Sequence, residues 1–230
     1  MASGGAAGTA SGRKQPASLS PMVAASGDSG PFRGASAGWL GPHAVLVPVK
    51  RFGEAKVRLA PALPPEGRAT LAREMAAAVL VAARPLPVAV VCDDVEVAQW
   101  ARARGALVVW EPGRGLNGAV QSGVDQLARA GVRRVVVAHA DLPRAAGLAG
   151  IADGDGVVLV PDRRHDGTNV AVVPTVAGFR FSYGPGSFDR HREEARRLGL
   201  RLRVVEDPRL AFDVDVPDDL DALLARRNDH

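Results

Sequence analysis

Valine-rich apolar runs recur along the chain, separated by amphipathic stretches. The runs at 44–49, 87–92 (PVAVVC), 106–110 (ALVVW), 133–138 (RRVVVA) and 157–160 (VVLV) read as strands, with two more at 169–173 (NVAVV) and 202–206 (LRVVE). Most are continuously apolar rather than alternating. Both faces of such a strand need cover, as in a parallel sheet between helical layers. The stretches between them predict helices over 66–84, 94–104, 116–130, 187–198 and 217–227. Pro217 suits a first helical turn, and Asp218 and Asp219 suit the positive end of that last helix. The β-α alternation predicts an α/β fold with a doubly wound, mostly parallel sheet. In such sheets ligands sit beyond the carboxyl ends of the strands, and most of the polar loops discussed below fall there.

The first 42 residues break the pattern. They are Gly, Ala, Ser and Pro with little to bury, so they read as a disordered tail ahead of one domain, 43–230. An upstream start codon would yield the same kind of sequence. The stretch lacks the continuous apolar core of a signal peptide. No apolar run approaches the ~20 residues that span a bilayer. The single cysteine, Cys92, excludes an intramolecular disulfide framework and fits a reducing cytoplasm.

Charge changes the picture less than it first suggests. The chain carries 29 Lys and Arg against 25 Asp and Glu, and its pI of about 9.9 invites a nucleic-acid partner. The tail holds three of those cations (Arg13, Lys14, Arg33) and one anion (Asp28), which leaves the domain with 26 against 24. That is an ordinary surface. No long basic helix or aromatic-laced basic stripe supports nucleic-acid binding. Abundant Arg and Ala with few Lys points to a GC-rich genome.

The candidate chemistry lies in the loops. After the first strand, "VLVPVKRFGEAKVRL" presents Lys50, Arg51, Lys56 and Arg58, opposed only by Glu54. This is the usual phosphate position of the architecture. No GxGxxG or Walker A pattern is present, so neither a dehydrogenase nor a P-loop ATPase is supported. A flexible loop with Lys50, Lys56 and Arg58 can wrap a triphosphate; it can equally be a solvated basic loop. In "VVVAHADLP" a strand delivers Asp141 at its end, either to bind a metal or to cap the next helix. In "AFDVDVPDDL" Asp213 and Asp215 share one face of an extended stretch, where two carboxylates favour a shared divalent cation or stand on a solvated strand edge leading into a capped helix.

Other loops carry weaker signals. Thr168 stands at the mouth of a strand. Gly184, Gly186 and Ser187 precede a helix whose free backbone N–H groups suit a small anion, or whose N-cap is simply Ser187. Gly115 and Asn117 open another helix, where Asn117 could read a base edge or cap. His139 and His165 are exposed-loop candidates without a partner at metal spacing, and His139 reads as structural. Ser122 and Ser182 have no nearby base, so no Ser/His/Asp hydrolase assembles. Cys92 reads as a buried filler rather than a nucleophile.

These pieces in order, "VPVKRFGEAKVRL", "GLNGAVQSG", "HADLP", "DRRHDGTNVAVVP", "FRFSYGPGSFDRH" and "FDVDVPDDL", resemble the CofC/FbiD family of guanylyltransferases in biosynthesis of the deazaflavin coenzyme F-420. The resemblance covers roughly residues 44–227. It implies a Rossmann-like sheet of the GT-A nucleotidyltransferase type. It implies Mg²⁺ held by Asp141, Asp213 and Asp215, with phosphoenolpyruvate on Thr168, Gly184 and Ser187. The nucleotide falls to Lys50, Lys56, Arg58, Gly115 and Asn117, and Lys56 joins the three aspartates in the catalytic set. Archaeal members of the family use 2-phospho-L-lactate and mycobacterial members phosphoenolpyruvate, and the GC-rich character favours the latter. The implied partners are GTP and one of these acceptors, without nucleic acid or membrane. A homodimer stays open. Another nucleotidyltransferase of the same fold, or a basic nucleic-acid binder, remains as an alternative class.

Overall fold

The computed structural model describes Met1 and residues 40–225. The expected tail therefore lies outside the described residues except for its end. There the boundary moves. Leu40 is only 3% exposed and packs with Leu46, Leu127 and Val135. The Pro42 carbonyl accepts from the backbone N–H groups of Arg133 and Arg134 at 2.9 and 3.0 Å. The packed domain thus includes residues 40–42, which the sequence reading placed in the tail.

Seven strands form one sheet: β1 (His43–Pro48), β2 (Val88–Cys92), β3 (Leu107–Trp110), β4 (Arg134–Ala138), β5 (Val157–Pro161), β6 (Thr168–Pro174) and β7 (Leu202–Val204). Their order across the sheet is β3-β2-β1-β4-β6-β5-β7. All pairings are parallel except those of β6, which runs antiparallel to both β4 and β5. The reversal has a direct consequence for placement. The start of β6 lies at the same edge of the sheet as the end of β4, so Thr168 and Asp141 share that edge.

Among the described residues six α-helices cover the sheet: α1 (Pro65–Ala82), α2 (Val95–Arg102), α3 (Gly115–Arg129), α4 (Leu148–Ala152), α5 (Ser187–Arg197) and α6 (Pro217–Ala225). The short α4 is absent from the sequence reading; five residues show too little periodicity. Helices α1, α2 and α4 bury Ala76, Val79, Val97 and Leu148 against Val45, Val47 and Val136 on one face. Helices α3 and α5 bury Val120, Val124, Leu127 and Phe188 against Ala44, Leu46 and Val135 on the other. Successive β1 residues point to opposite faces, which is why the run is apolar throughout. Helix α3 crosses β1 closely at Gly123, where an added Cβ would stand 2.8 Å from Leu46 Cδ2.

A third, smaller cluster sits under the functional edge. Leu59, Met75, Phe212, Val214, Leu220 and Leu223 pack together. They join the loop after β1, helix α1, the extended stretch before α6 and α6 itself. The expected flexible loop after β1 is therefore not loose. It forms two 3-10 turns, Phe52–Glu54 and Val57–Leu59, each anchored by a buried residue, Phe52 and Leu59.

Candidate active site at the carboxyl edge of the sheet

The loop after β1 carries Lys56 back to the sheet. Lys56 adopts the left-handed region at φ 55° and ψ 40°, which costs a non-glycine residue about 1–2 kcal/mol. Two ion pairs and the Leu59 anchor offset that strain. Lys56 Nζ donates to Asp141 Oδ2 and to Asp215 Oδ1, both at 2.7 Å, and the Lys56 side chain is only 10% exposed. Burial works against the ammonium charge, but the two carboxylates outweigh it and raise the Lys56 pKa. Burial also opposes the Asp141 charge, yet Lys56 holds that carboxyl below its usual value.

Two aspartates flanking one cation require their backbones to be fixed. Asp141 follows β4. The stretch bearing Asp215 lies beside it, with Val214 N–H donating to the Asp141 carbonyl at 3.3 Å. Asp219, buried in the first turn of α6, accepts from the N–H groups of Asp215 and Val216 at 2.8 and 3.0 Å. Arg163 donates to the other Asp219 oxygen at 2.6 Å. Asp219 thus caps its helix and also pins the Asp215 backbone, a role that its sequence position concealed. Phe212, beneath, lies between the guanidinium groups of Arg144 and Arg163, 3.9 and 4.3 Å from the ring centre.

Asp213 differs from its neighbours. Its carboxyl, ordinarily 3.8, is pushed up to about 6, first by burial and then by Asp141 and Asp215. The folded state binds this proton more tightly than the unfolded chain does. Stability from Asp213 therefore falls as pH rises from about 4 to 6 and stays at its lower level above that window. Asp213→Asn removes the cost. The variant should be about 1–2 kcal/mol more stable than the parent at pH 7.5, allowing for partial exposure, and no more stable near pH 3.5. Urea melts at the two pH values check this, and an equal gain at both would refute the account from burial and neighbouring charge.

A cavity of about 460 Å³ opens over this group, lined among others by Lys50, Lys56, Arg58, His139, Asp141 and Asp215. A second, of about 340 Å³, adjoins it along the ends of β1, β2 and β3. The two share Lys50, Glu54 and Leu116, and the second also touches Cys92, Glu111 and Gly115. Among the described residues, Lys50 and Arg58 have no carboxylate at ion-pair distance, whereas Arg51 is paired with Asp94 and Glu54 at 2.9 and 3.1 Å. Of the four cations in the loop, two are therefore committed to carboxylates and two remain for an anionic ligand.

Three expectations need correction. Asn117 neither caps its helix nor faces a base. Its Oδ1 accepts from Tyr183 N–H at 2.6 Å and its Nδ2 donates to the Tyr183 carbonyl at 3.3 Å, so the amide clamps α3 to the chain before α5. The N-terminus of α5 offers few free N–H groups. Gly186 N–H goes to Asp166 Oδ1, Ser187 N–H to the Gly184 carbonyl and Phe188 N–H to the Asp166 carbonyl. Ser187 is not the cap; its Oγ accepts from Thr168 N–H at 3.1 Å. Gly184 sits at φ 121°, open only to glycine, which lets the turn close onto the β5–β6 loop. His139, expected on an exposed loop, lies at the end of β4 with a buried Nε2 that has no partner, and burial lowers its pKa.

Sequence reasoning missed Glu111. Its carboxylate accepts from Ser122 Oγ at 2.5 Å and Gln126 Nε2 at 2.6 Å, and pairs with Arg114 at 2.7 Å beside the second cavity. Cys92 matches its reading as filler: it is buried, and burial pushes its thiol up to about 11.

Asp141, Asp215 and Lys56 come together at one cavity. Thr168 and Ser187 come together through their own hydrogen bond at the same sheet edge. Gly115 lines the second cavity. Among the described residues, no three His, Cys, Asp or Glu side chains form a ready cage for a metal ion. Even so, Asp141 Oδ1 is buried without a partner, and the Lys56 ammonium already occupies a cation's place between Asp141 and Asp215. An all-oxygen donor set with one open carboxylate oxygen fits Mg²⁺, which takes few protein ligands and leaves the rest to phosphates and water. No described helix is long and apolar enough to cross a membrane.

The model of the family described as guanylyl transferase CofC like matches residues 43–230. A phosphoenolpyruvate guanylyltransferase of Sphaerobacter thermophilus is 38% identical over 77% of this chain and 90% of its own length. A protein of the same name from Rubrobacter xylanophilus is 39% identical over 78% and 92%. A 2-phospho-L-lactate guanylyltransferase of Methanothermobacter thermautotrophicus is 34% identical over 78% and 82%. Among solved structures, a putative nucleotide-diphospho-sugar transferase from Desulfovibrio desulfuricans superposes with a TM-score of 0.66 at 19% identity, covering 79% of this chain and 86% of that one. That likeness establishes the fold, a mostly parallel nucleotidyltransferase sheet.

Proposed function

The chain belongs to the CofC-like guanylyl transferase family, and from that premise we propose that it joins the GMP unit of GTP to phosphoenolpyruvate, releasing pyrophosphate. The reaction yields enolpyruvyl-diphospho-guanosine, within coenzyme F-420 biosynthesis in the cytoplasm. The observation that carries the reading is the Asp141–Lys56–Asp215 group opening onto a cavity rimmed by Lys50 and Arg58. Such a site sets exposed cations beside a charge-balanced carboxylate pair where two polyanions must meet.

An oxygen of the acceptor phosphate forms a bond to the α-phosphorus of GTP. The bond from that phosphorus to the α–β bridging oxygen breaks, and its electron pair leaves with pyrophosphate. The nucleophile is already an anion, so no strong base is needed. What limits the reaction is repulsion, and fixed positive charge at the developing phosphoryl oxygens lowers it. Lys50 and Arg58 serve the triphosphate. Lys56, locked between two carboxylates, keeps their geometry and balances their charge. Thr168 and Ser187, each only 2% exposed, hold their hydroxyls at the sheet edge where the acceptor would sit. Asp141 and Asp215, with Asp213 beside them, would hold Mg²⁺, which would supply charge neutralisation of the phosphates.

Product analysis by mass spectrometry with GTP, Mg²⁺ and each acceptor tests the assignment. Guanylylated phosphoenolpyruvate is expected. A product from 2-phospho-L-lactate alone would move the chain to the other acceptor, and no product from either would overturn the reading. The nucleotide side makes its own prediction. Lys50→Ala and Arg58→Ala should each lower kcat/KM for GTP about tenfold to hundredfold, since a charge-assisted contact contributes roughly 1.5–3 kcal/mol. Thermal stability should hold, because both side chains are exposed. Unchanged GTP kinetics in both variants would return them to the solvated surface.

A further inference from the structure

Behind the two hydroxyls lies a histidine that the mechanism does not use. His191, on α5, is fully buried. Its ring is packed by Tyr183, Phe179 and Phe181, with centroids 4.9, 5.7 and 6.2 Å away. Both ring nitrogens have partners. Ser182 N–H donates to Nε2 at 2.9 Å, and Nδ1 lies 3.0 Å from Thr168 Oγ1.

These two contacts fix the protons. A backbone N–H can only donate, so Nε2 carries no hydrogen. The proton of the neutral ring is then on Nδ1, and Nδ1–H donates to Thr168 Oγ1. A charged ring would set two donors against each other at Ser182. Burial, chiefly, agrees by pulling the His191 pKa down to about 4. Thr168 Oγ1 therefore receives a hydrogen bond and cannot give one back to the ring. Its own proton must go elsewhere, and among the described residues no acceptor takes it. Ser187 Oγ is in the same condition, since it receives Thr168 N–H at 3.1 Å. Two adjacent hydroxyls are thus each occupied as acceptors and left as donors. That pairing suits an anionic ligand and disfavours a cationic one.

We propose that His191 is a positioning residue of the acceptor site: by donating to Thr168 Oγ1 through a ring whose tautomer Ser182 sets, it directs the Thr168 hydroxyl proton at the anionic acceptor. The inference rests on the acceptor reading of Thr168 given above. His191 touches no substrate and acts through Thr168 alone.

Kinetics with GTP and phosphoenolpyruvate, varied separately, test it. Thr168→Val should raise the phosphoenolpyruvate KM tenfold or more with the GTP KM unchanged. His191→Phe should do the same. His191→Asn places an amide N–H where Nδ1–H stands and should stay within about threefold of the parent. His191→Gln places its amide at the Nε2 side, can still receive Ser182 N–H, and should resemble the Phe variant. In a Thr168→Val background, His191→Phe should add less than twofold, because no hydroxyl remains to direct. A merely structural histidine predicts the opposite: Asn no better than Gln, and the same penalty for Phe in both backgrounds. Either result overturns the proposal. If His191→Phe does not fold, the Asn and Gln pair decides alone. If Thr168→Val leaves the phosphoenolpyruvate KM unchanged, the acceptor reading of Thr168 fails and the His191 proposal falls with it. A raised KM in Thr168→Val with none in His191→Phe defeats the His191 proposal only.

Discussion

Asp141→Asn should fold as the parent does and lose a hundredfold to a thousandfold or more in kcat. The change keeps the size of the side chain and an oxygen for Lys56 to meet. It removes the charge that Lys56 neutralises and the anionic donor that would hold a divalent cation. Deleting one preorganised electrostatic contact to a transition state typically costs 10²–10³ in rate. Asp215→Asn should fall in the same range, since Asp215 is the other carboxylate on Lys56 Nζ. The double variant should be little worse than either single one, because the two groups act on a shared cation. Pyrophosphate release with GTP, phosphoenolpyruvate and Mg²⁺ measures this. A kcat within tenfold of the parent for Asp141→Asn would remove Asp141 from the chemistry, and additive losses would separate the two carboxylates.

Lys56→Ala carries the largest expected effect on stability. It leaves Asp141 with its other oxygen already unpartnered and without the one ion-pair partner it has among the described residues. Breaking a buried pair from one side costs about 3–5 kcal/mol, because a charge remains without compensation, and with Asp141 23% and Asp215 38% exposed the loss falls toward about 2–3 kcal/mol. The pH dependence follows from the sign of the shift. In the parent, the Asp141 pKa is depressed, so its contribution is present above the unfolded value near 4 and is lost as pH falls through the folded value. Without Lys56, burial raises the Asp141 pKa instead, and protonation relieves the strain. The variant should therefore be most destabilised at pH 7.5 and recover toward pH 4.5. Adding Asp141→Asn to Lys56→Ala should restore part of the loss at pH 7.5. Denaturant melts of the three proteins test this, and a loss under 1 kcal/mol at pH 7.5 would show that Lys56 is replaceable by solvent.

The sheet was legible in the sequence because its central strands are covered on both faces, so valine runs marked every strand. The direction of β6 was not legible. Continuous apolarity is the same read either way, and only the hairpin through residues 162–167 reverses it. Placement of Asp141 and Asp215 at one edge followed from the fold class. Their partner did not. Lys56 meets acids 85 and 159 residues away, and a loop cation looks alike in sequence whether it faces solvent or a carboxylate. Asn117 misled for a related reason: an amide at a helix start suggests a cap, and its true partner, Tyr183, is 66 residues distant. Asp219 suggested a helix end and proved also to hold Asp215 in place. In each case the missing information was tertiary.

The reversal of β6 also divides the site between two segments of the chain. Lys50, Lys56, Arg58, Gly115 and Asp141 are supplied by β1 to β4 and the loops that follow them. Thr168, Gly184, Ser187 and His191 belong to one later stretch that enters the edge from the opposite direction. The two groups touch across the β4–β6 seam but share no loop. On the proposed assignment, substitutions in the later stretch alter the acceptor side without passing through the loops that carry Lys50 and Arg58.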